Sequence, residues 1–260
     1  MSGDVGYGDV AASLVLVAVA IALSLREGLG LERSMVWAAT RALVQLLLVG
    51  VALAVVIDPD RPLILSWAWV IAMVAFAGDV ARRRARQVPR LFGLAVLGFA
   101  ASAAVSLAVL FGVGVFPLEG RTLVPLTGMV IGNSMTATVV VSRRVVEELR
   151  DKRGEVEARL ALGQPSGMAA RPYVRNALRT ALTPQIETTK ATGIVFLPGA
   201  MTGLILAGVD PLDAVLVQVV VMYLILGSVS VTTAVVALGL VRRLFTHDHR
   251  LVVLPRPAEG

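Results

Sequence analysis

The chain contains no cysteine. That excludes disulfides, thiolate metal sites and thiol catalysis. Histidine occurs only at His247 and His249, near the C-terminus, so a histidine metal site deep in the chain is excluded too. The only lysines are Lys152 and Lys190. Neither follows a Gly-x-x-x-x-Gly-Lys-Ser/Thr loop, so the sequence has no phosphate cradle for hydrolysing ATP. Charged residues make up 16% of the 260 residues, too few to clothe one soluble domain. No acidic residue falls in the middle of an apolar run, which removes the usual carboxylates of proton or sodium coupling. An intramembrane enzyme would need a Ser/His pair, paired aspartates or a ligand cluster within the runs, and none is present.

What the chain has instead is hydrophobic sequence, 57% of it, gathered into runs of roughly 17–25 residues. Each is long enough to cross a bilayer core of about 30 Å. Seven spans are expected: about Val10 to Leu25, Met35 to Ile57, Leu63 to Val80, Leu91 to Val115, Leu123 to Val141, Ile186 to Ala207, and Leu212 to Val241. The first follows the acidic residues Asp4 and Asp9 rather than a basic stretch, so no cleavable signal peptide is expected. The net charge of +6 does not indicate nucleic acid, because the basic residues lie beside the spans.

Placing the N-terminus outside puts Arg26, Arg33, Arg82, Arg83, Arg84, Arg86, Arg90, Arg242, Arg243, Arg250 and Arg256 inside, with only Arg61 and Arg121 outside. This is a strong positive-inside asymmetry, and it places the C-terminus in the cytoplasm of a cell-membrane protein.

The stretch from Ser142 to Gly193 is the long polar segment, with a hairpin expected over residues 142–184. Val145, Leu149, Val156 and Leu160 fall on one helical stripe. Glu148 with Lys152, and Glu155 with Arg159, have the i,i+4 spacing of ion pairs. The fifth span is expected to continue as one helix, about 20 residues and 30 Å into the cytoplasm. Gly163 and Pro165 would end it. Ser166 would cap a shorter helix that presents Tyr173, Ala177, Leu178, Ala181 and Leu182 on one face and Arg171, Arg175 and Arg179 on another. Thr183 as N-cap, with Pro184 at the first helical position, would then open the sixth span. Two readings stand for this hairpin: a solvated or lipid-bound amphipathic element, or a docking element for a cytoplasmic partner.

Residues 157–163, Glu157-Ala158-Arg159-Leu160-Ala161-Leu162-Gly163, resemble the Glu-Ala-Ala…Gly loop by which permeases of ATP-binding-cassette (ABC) transporters dock on their ATPase. More specific are Ala177 through Ile186, Thr192 through Gly203, Ala207 through Pro211, and Gln218 through Met222. Arg41 through Leu46 and Gly132 through Met135 add to them. These resemble the FetB-like permeases, membrane subunits of an iron-export ABC transporter, a family that includes plant permeases linked to aluminium tolerance. The resemblance spans about Glu32 to Leu251. It implies that residues 1–260 form a single all-helical permease domain whose 142–184 hairpin couples to a separate ATP-binding subunit. It implies further that ATP and magnesium are held by that partner, so the chain itself is not an enzyme and needs no cofactor. Seven spans are few for a pathway, so two copies are expected to share it. The alternative is a stand-alone secondary transporter or channel for a metal or small solute.

The docking residues implied are Glu157, Ala158, Arg159, Leu160, Gly163, Arg175 and Arg179. Candidates for the pathway or a hinge are Asn133, Ser134, Pro198, Gly199, Arg41 and Gln45. Each has a plainer reading. Gly128 with Gly132, and Gly199 with Gly203, suit helix packing as well as pore lining. Asn133 is costly in lipid and must face protein or water. Pro198 would kink the sixth span, as an inert bend or as a hinge freeing a carbonyl near Ile194. Arg41 can snorkel or pair with Asp79 or Glu187. Asp79 is better placed to pair with the arginines that follow it, and Glu187 with Lys190. Met129, Met135, Met201 and Met222 could offer soft thioether ligands or serve as packing. The metal site is left unassigned.

Overall fold

A computed structural model describes residues 7–246 and 248–252. Asp4, His247 and Arg256, counted above, lie outside the described residues. The described residues form nine α-helices: α1 (Tyr7–Arg26), α2 (Glu32–Val56), α3 (Leu63–Arg84), α4 (Leu91–Gly112), α5 (Gly120–Asp151), α6 (Arg153–Ala161), α7 (Ser166–Ala191), α8 (Gly199–Leu206) and α9 (Pro211–Leu244). No strand occurs among them, only two isolated bridges. Five helices, α2, α3, α4, α5 and α9, are long and apolar enough to cross a membrane.

The chain divides into two compact units, Met1–Arg61 and Pro62–Gly260. In the first, α1 and α2 pack on each other. Ser24 donates to Glu32 Oε1 at 2.7 Å, closing the turn between them.

In the second unit α5 and α9 lie together at the centre, with α4 against both and α3 against α4 and α5. The close approach of α4 to α9 is set by Gly98. A Cβ there would sit 3.0 Å from Val236 Cγ2 and 3.3 Å from the Thr232 carbonyl oxygen. Small residues at helix contacts are how membrane helices gain packing when lipid offers no hydrophobic drive. The two expected Gly-x-x-x-Gly pairs serve this purpose less well. Gly128 faces Met73 Cε at 3.2 Å, whereas Gly132, Gly199 and Gly203 meet nothing within 4 Å.

Arginines stitch one end of the unit. Arg143 donates to the Arg84 carbonyl, and Arg243 Nη1 donates to the Arg90 carbonyl at 2.5 Å. Both tie the α3–α4 turn to the long helices, and Arg143 places positive charge on the C-terminal end of α3. Asp79 is held by Arg82 and Arg83 at 2.7 and 2.6 Å, the local pairing the sequence suggests.

Several boundaries differ from the expected ones. The fifth span does not run unbroken to Gly163. It ends at Asp151, and Lys152 (φ −101°, ψ 22°) offsets the chain before α6. Ser166 does not cap α7; Pro165 is the N-cap and Ser166 is the first helical residue. Thr183 opens no new helix, because α7 runs through Pro172 and Pro184 to Ala191. The buried face of Tyr173, Val174, Ala177 and Ala181 is continuous there, and packing outweighs the lost proline N–H. The Thr183 hydroxyl instead donates back to the Arg179 carbonyl at 2.8 Å.

The stretch expected as the sixth span is not one helix. Residues 192–198 are non-helical between α7 and α8. Pro198 therefore kinks no helix; it is the N-cap of α8, and its carbonyl accepts from Thr202 N at 3.0 Å. Proline disfavours helical backbone at the residue before it, and Gly193 (φ +88°) has already turned the chain.

Candidate functional site

The α6–α7 hairpin is built from the inside out. Val145, Leu149 and Val156 are fully buried, as their stripe requires, and Leu160 packs beside them. They share one core with Ala169, Ala170, Tyr173, Val174 and Ala177 of α7. The turn at the tip is a Schellman motif. Gln164 N donates to the Arg159 carbonyl at 3.1 Å and Gly163 N to that of Leu160 at 2.9 Å. Gly163 has φ +83°, a conformation that a side chain resists, so the glycine is dictated by the turn.

Polar contacts then lock α6 to α7. Tyr173 Oη donates to Glu155 Oε2 at 2.8 Å, and Lys152 Nζ donates to Glu155 Oε1 at 2.9 Å. The Lys152 hydrogen bond, followed by that of Tyr173, lowers the Glu155 pKa below its ordinary value. The same carboxylate raises that of Lys152, and burial raises that of Tyr173. The expected pairs Glu148 with Lys152 and Glu155 with Arg159 are replaced by Arg144 with Glu147 and Glu148, Lys152 with Glu155, and Arg153 with Glu157 at 2.7 Å. The offset at Lys152 changes which residues face each other.

A third element joins the hairpin. Past α9 the chain folds back so that Thr246 N donates to the Arg250 carbonyl at 2.8 Å, and Phe245 and Leu251 enter the hairpin core. His249 Nδ1 then accepts from Ser166 N.

Of the expected docking residues, Glu157, Ala158 and Gly163 are exposed, Arg159 is half-buried, and Leu160 turns inward. Arg175 and Arg179 are exposed on the outer face of α7. With Arg159, Gln164, Arg171 and Asn176 they line a polar cavity of about 490 Å³. Leu162 is 82% exposed, an apolar residue standing out at the tip.

The pathway candidates are distributed. Arg41 and Gln45 lie exposed on α2, in the first unit. Asn133 and Ser134 lie on α5, and Pro198–Gly199 at the start of α8, in the second. Asn133 is exposed, and its Nδ2 donates to the Met129 carbonyl of its own helix at 2.8 Å. Ser134 points into the core, where its hydroxyl and that of Thr138 have no partner. Glu187 pairs with Lys190 at 3.0 Å. Among the described residues no group of three or more His, Asp or Glu side chains could hold a metal ion. Met222 is buried, and Met129 and Met135 pack against core clusters.

One residue gains importance only in the fold. Gln218 of α9 is 5% exposed and its Oε1 has no hydrogen-bond partner. The sequence signal was a lone carboxamide in an otherwise aliphatic run. Buried amides without partners are rare enough to need an explanation.

The chain is similar to known proteins along most of its length. It is 39% identical to the UPF0014 membrane protein STAR2 of Oryza sativa subsp. japonica, over 88% of this chain and 80% of that protein. It is 35% identical to the protein ALUMINUM SENSITIVE 3 of Arabidopsis thaliana, over 88% and 83%. It is 30% identical to the probable iron export permease protein FetB of Escherichia coli (strain K12), over 97% of each. No solved structure matches it. Residues 7–245 match the family described as Uncharacterised protein family (UPF0014), so the chain belongs to the UPF0014 family of multi-pass membrane proteins.

Proposed function

We propose that the chain is the membrane-spanning subunit of an ATP-driven metal exporter, energised by a separate ATP-binding subunit that docks on the hairpin of α6 and α7. The observation that carries this reading is the hairpin itself. It is braced by the Glu155–Tyr173 and Glu155–Lys152 contacts, yet it leaves Glu157, Ala158, Leu162, Arg175 and Arg179 facing outward. A rigid tip with an unused outer face suits the transmission of force from a partner. Iron as cargo is supported by the likeness to the Escherichia coli permease, and comes to this chain by that likeness alone.

In this reading the chain crosses the membrane seven times, with its N-terminus outside and its C-terminus and hairpin in the cytoplasm. The sixth crossing is completed by the end of α7, the non-helical residues 192–198 and α8. Irregular backbone at that depth is tolerated only against protein or a water-filled cavity. That requirement favours residues 192–198, Asn133 and Gln218 as pathway elements, and two copies enclosing the pathway between them. Docking acts by stabilising one of two pathway states over the other. The chain itself performs no chemistry.

The test is co-purification of the detergent-solubilised chain from its native host, then reconstitution of both proteins in liposomes. ATP-dependent movement of iron is the expected outcome. A chain that purifies alone and moves solute without ATP overturns the reading and favours a stand-alone transporter.

A further inference from the structure

We infer that the arginine-lined cavity on α7 is a receptor for an acidic protein surface, and that the ATP-binding subunit meets the hairpin through aspartate and glutamate side chains. This rests on the docking proposed above and adds the chemistry of the partner.

The inference starts from charge that the fold leaves uncompensated. Arg171, Arg175 and Arg179 are spaced four residues apart, so they stack along one face of α7 over about 12 Å. Like charges at that spacing repel one another in a helix. Elsewhere in the same segment most basic residues are paired: Arg144 with Glu147 and Glu148, Arg150 with Asp151, Lys152 with Glu155, and Arg153 with Glu157, while Arg143 bonds to the Arg84 carbonyl. Among the described residues no carboxylate forms an ion pair with Arg171, Arg175 or Arg179. Arg159 of α6 also lines the cavity of about 490 Å³, with Gln164 and Asn176 adding neutral donors. It contains no acid. Guanidiniums in such an array suit planar carboxylates, which they grip with paired hydrogen bonds.

Placement argues for a protein rather than a lipid headgroup. Tyr173 bonds to Glu155, which lies beyond the end of α5. The expected membrane boundary is at Val141, ten residues before that end. Arg171 therefore stands roughly 15 Å or more beyond the boundary, at the level of α6. Anionic headgroups could reach the Arg179 end of the stripe but not Arg159 and Arg171. Exposed Met168 gives the cavity wall apolar surface suited to a protein contact, and exposed Leu162 lies two residues before Gln164 in the chain.

The test uses the purified full-length chain in detergent with two probes, a fluorescent octaglutamate peptide and the co-purified ATP-binding subunit. The wild type is expected to bind both, more weakly as salt rises. The Arg175→Glu/Arg179→Glu variant is expected to lose about tenfold or more in affinity. Arg84→Glu/Arg86→Glu, exposed elsewhere, makes the same change in net charge and serves as the control, and an unchanged melting temperature shows that the variants are folded. Equal peptide binding by variant and wild type overturns the inference. So does displacement of the peptide by phosphatidylglycerol vesicles or inorganic phosphate at far lower concentrations. If the ATP-binding subunit binds variant and wild type alike, the acidic surface is refuted while hairpin docking survives. If it fails to bind the wild type, docking is refuted, and the peptide alone decides whether the cavity accepts carboxylates.

Discussion

His249 Nδ1 lies 3.3 Å from the backbone nitrogen of Ser166 and 3.2 Å from its hydroxyl, across 83 residues of sequence. Ser166 opens α7, whose first amides have no partner within the helix. No side chain local to α7 caps it, so a residue from the end of the chain supplies the acceptor. The imidazole must present an unprotonated Nδ1 to do so.

Replacing His249 with Ala is expected to cost about 1 kcal/mol, the ordinary worth of a helix cap. Hydrogen exchange should quicken at the first amides of α7 and remain unchanged in α4. Equal exchange at Ser166 in both proteins would show that the cap carries no stability.

Acid should loosen the hairpin. Glu155 is held below its ordinary value of 4.5 by Lys152 first and Tyr173 second. A depressed carboxyl stabilises the fold above its unfolded value and ceases to do so as pH falls through the folded one. The bracing should therefore hold at neutral pH and fade below about 4.5. Lys152 and Tyr173 are both raised, so their contribution holds below pH 10 and fades as the medium becomes more alkaline. A disulfide-trapping assay between cysteines placed in α6 and α7 reads the effect, and Tyr173→Phe should shrink the acid step.

Gly98→Leu should destabilise the chain by about 1–3 kcal/mol, the usual range for overpacking. The new side chain would meet Val236 and the Thr232 backbone. Gly132→Leu, where nothing lies within 4 Å, should leave the isolated chain's melting temperature nearly unchanged. A drop in dimer recovery for Gly132→Leu alone would place that face between two copies.

Gln218→Met should raise stability by about 1–3 kcal/mol, because it removes a buried acceptor with no partner. Liposome flux should fall at the same time if the carboxamide serves the solute. A variant that is more stable and transports normally would remove Gln218 from the pathway.

Much of this arrangement was legible in the sequence. The apolar runs gave helices α2, α3, α4, α5 and α9, because length and hydropathy suffice for a membrane helix. The Val145–Leu149–Val156–Leu160 stripe marked the buried face of the hairpin, and Gly163 its turn. Local rules failed where tertiary packing overrode them. Thr183–Pro184 reads as a helix start, yet the buried face of α7 carries the helix through it. Pro198 reads as a kink, yet the chain had already left the helix at Thr192. The Glu148–Lys152 and Glu155–Arg159 pairs read by spacing were lost to the offset at Lys152, whereas Asp79 with Arg82 and Arg83, and Glu187 with Lys190, formed as spaced. The cap from His249 and the arginine bonds to the Arg84 and Arg90 carbonyls join segments far apart in sequence, and no local pattern announces such partners.

The uninterrupted course of α7 has a mechanical corollary. Its 26 residues make a helix about 39 Å long, packed against α5 and α9, that joins the hairpin turn to the non-helical residues 192–198. Compliance is thus concentrated in one joint. A shift of the hairpin would move α7 together with the helices it packs on, and the non-helical joint would absorb the difference. Seen this way, Pro172 and Pro184 matter for what they fail to do. They leave the helix continuous to Ala191, so that displacement imposed on the hairpin is carried along it to the joint.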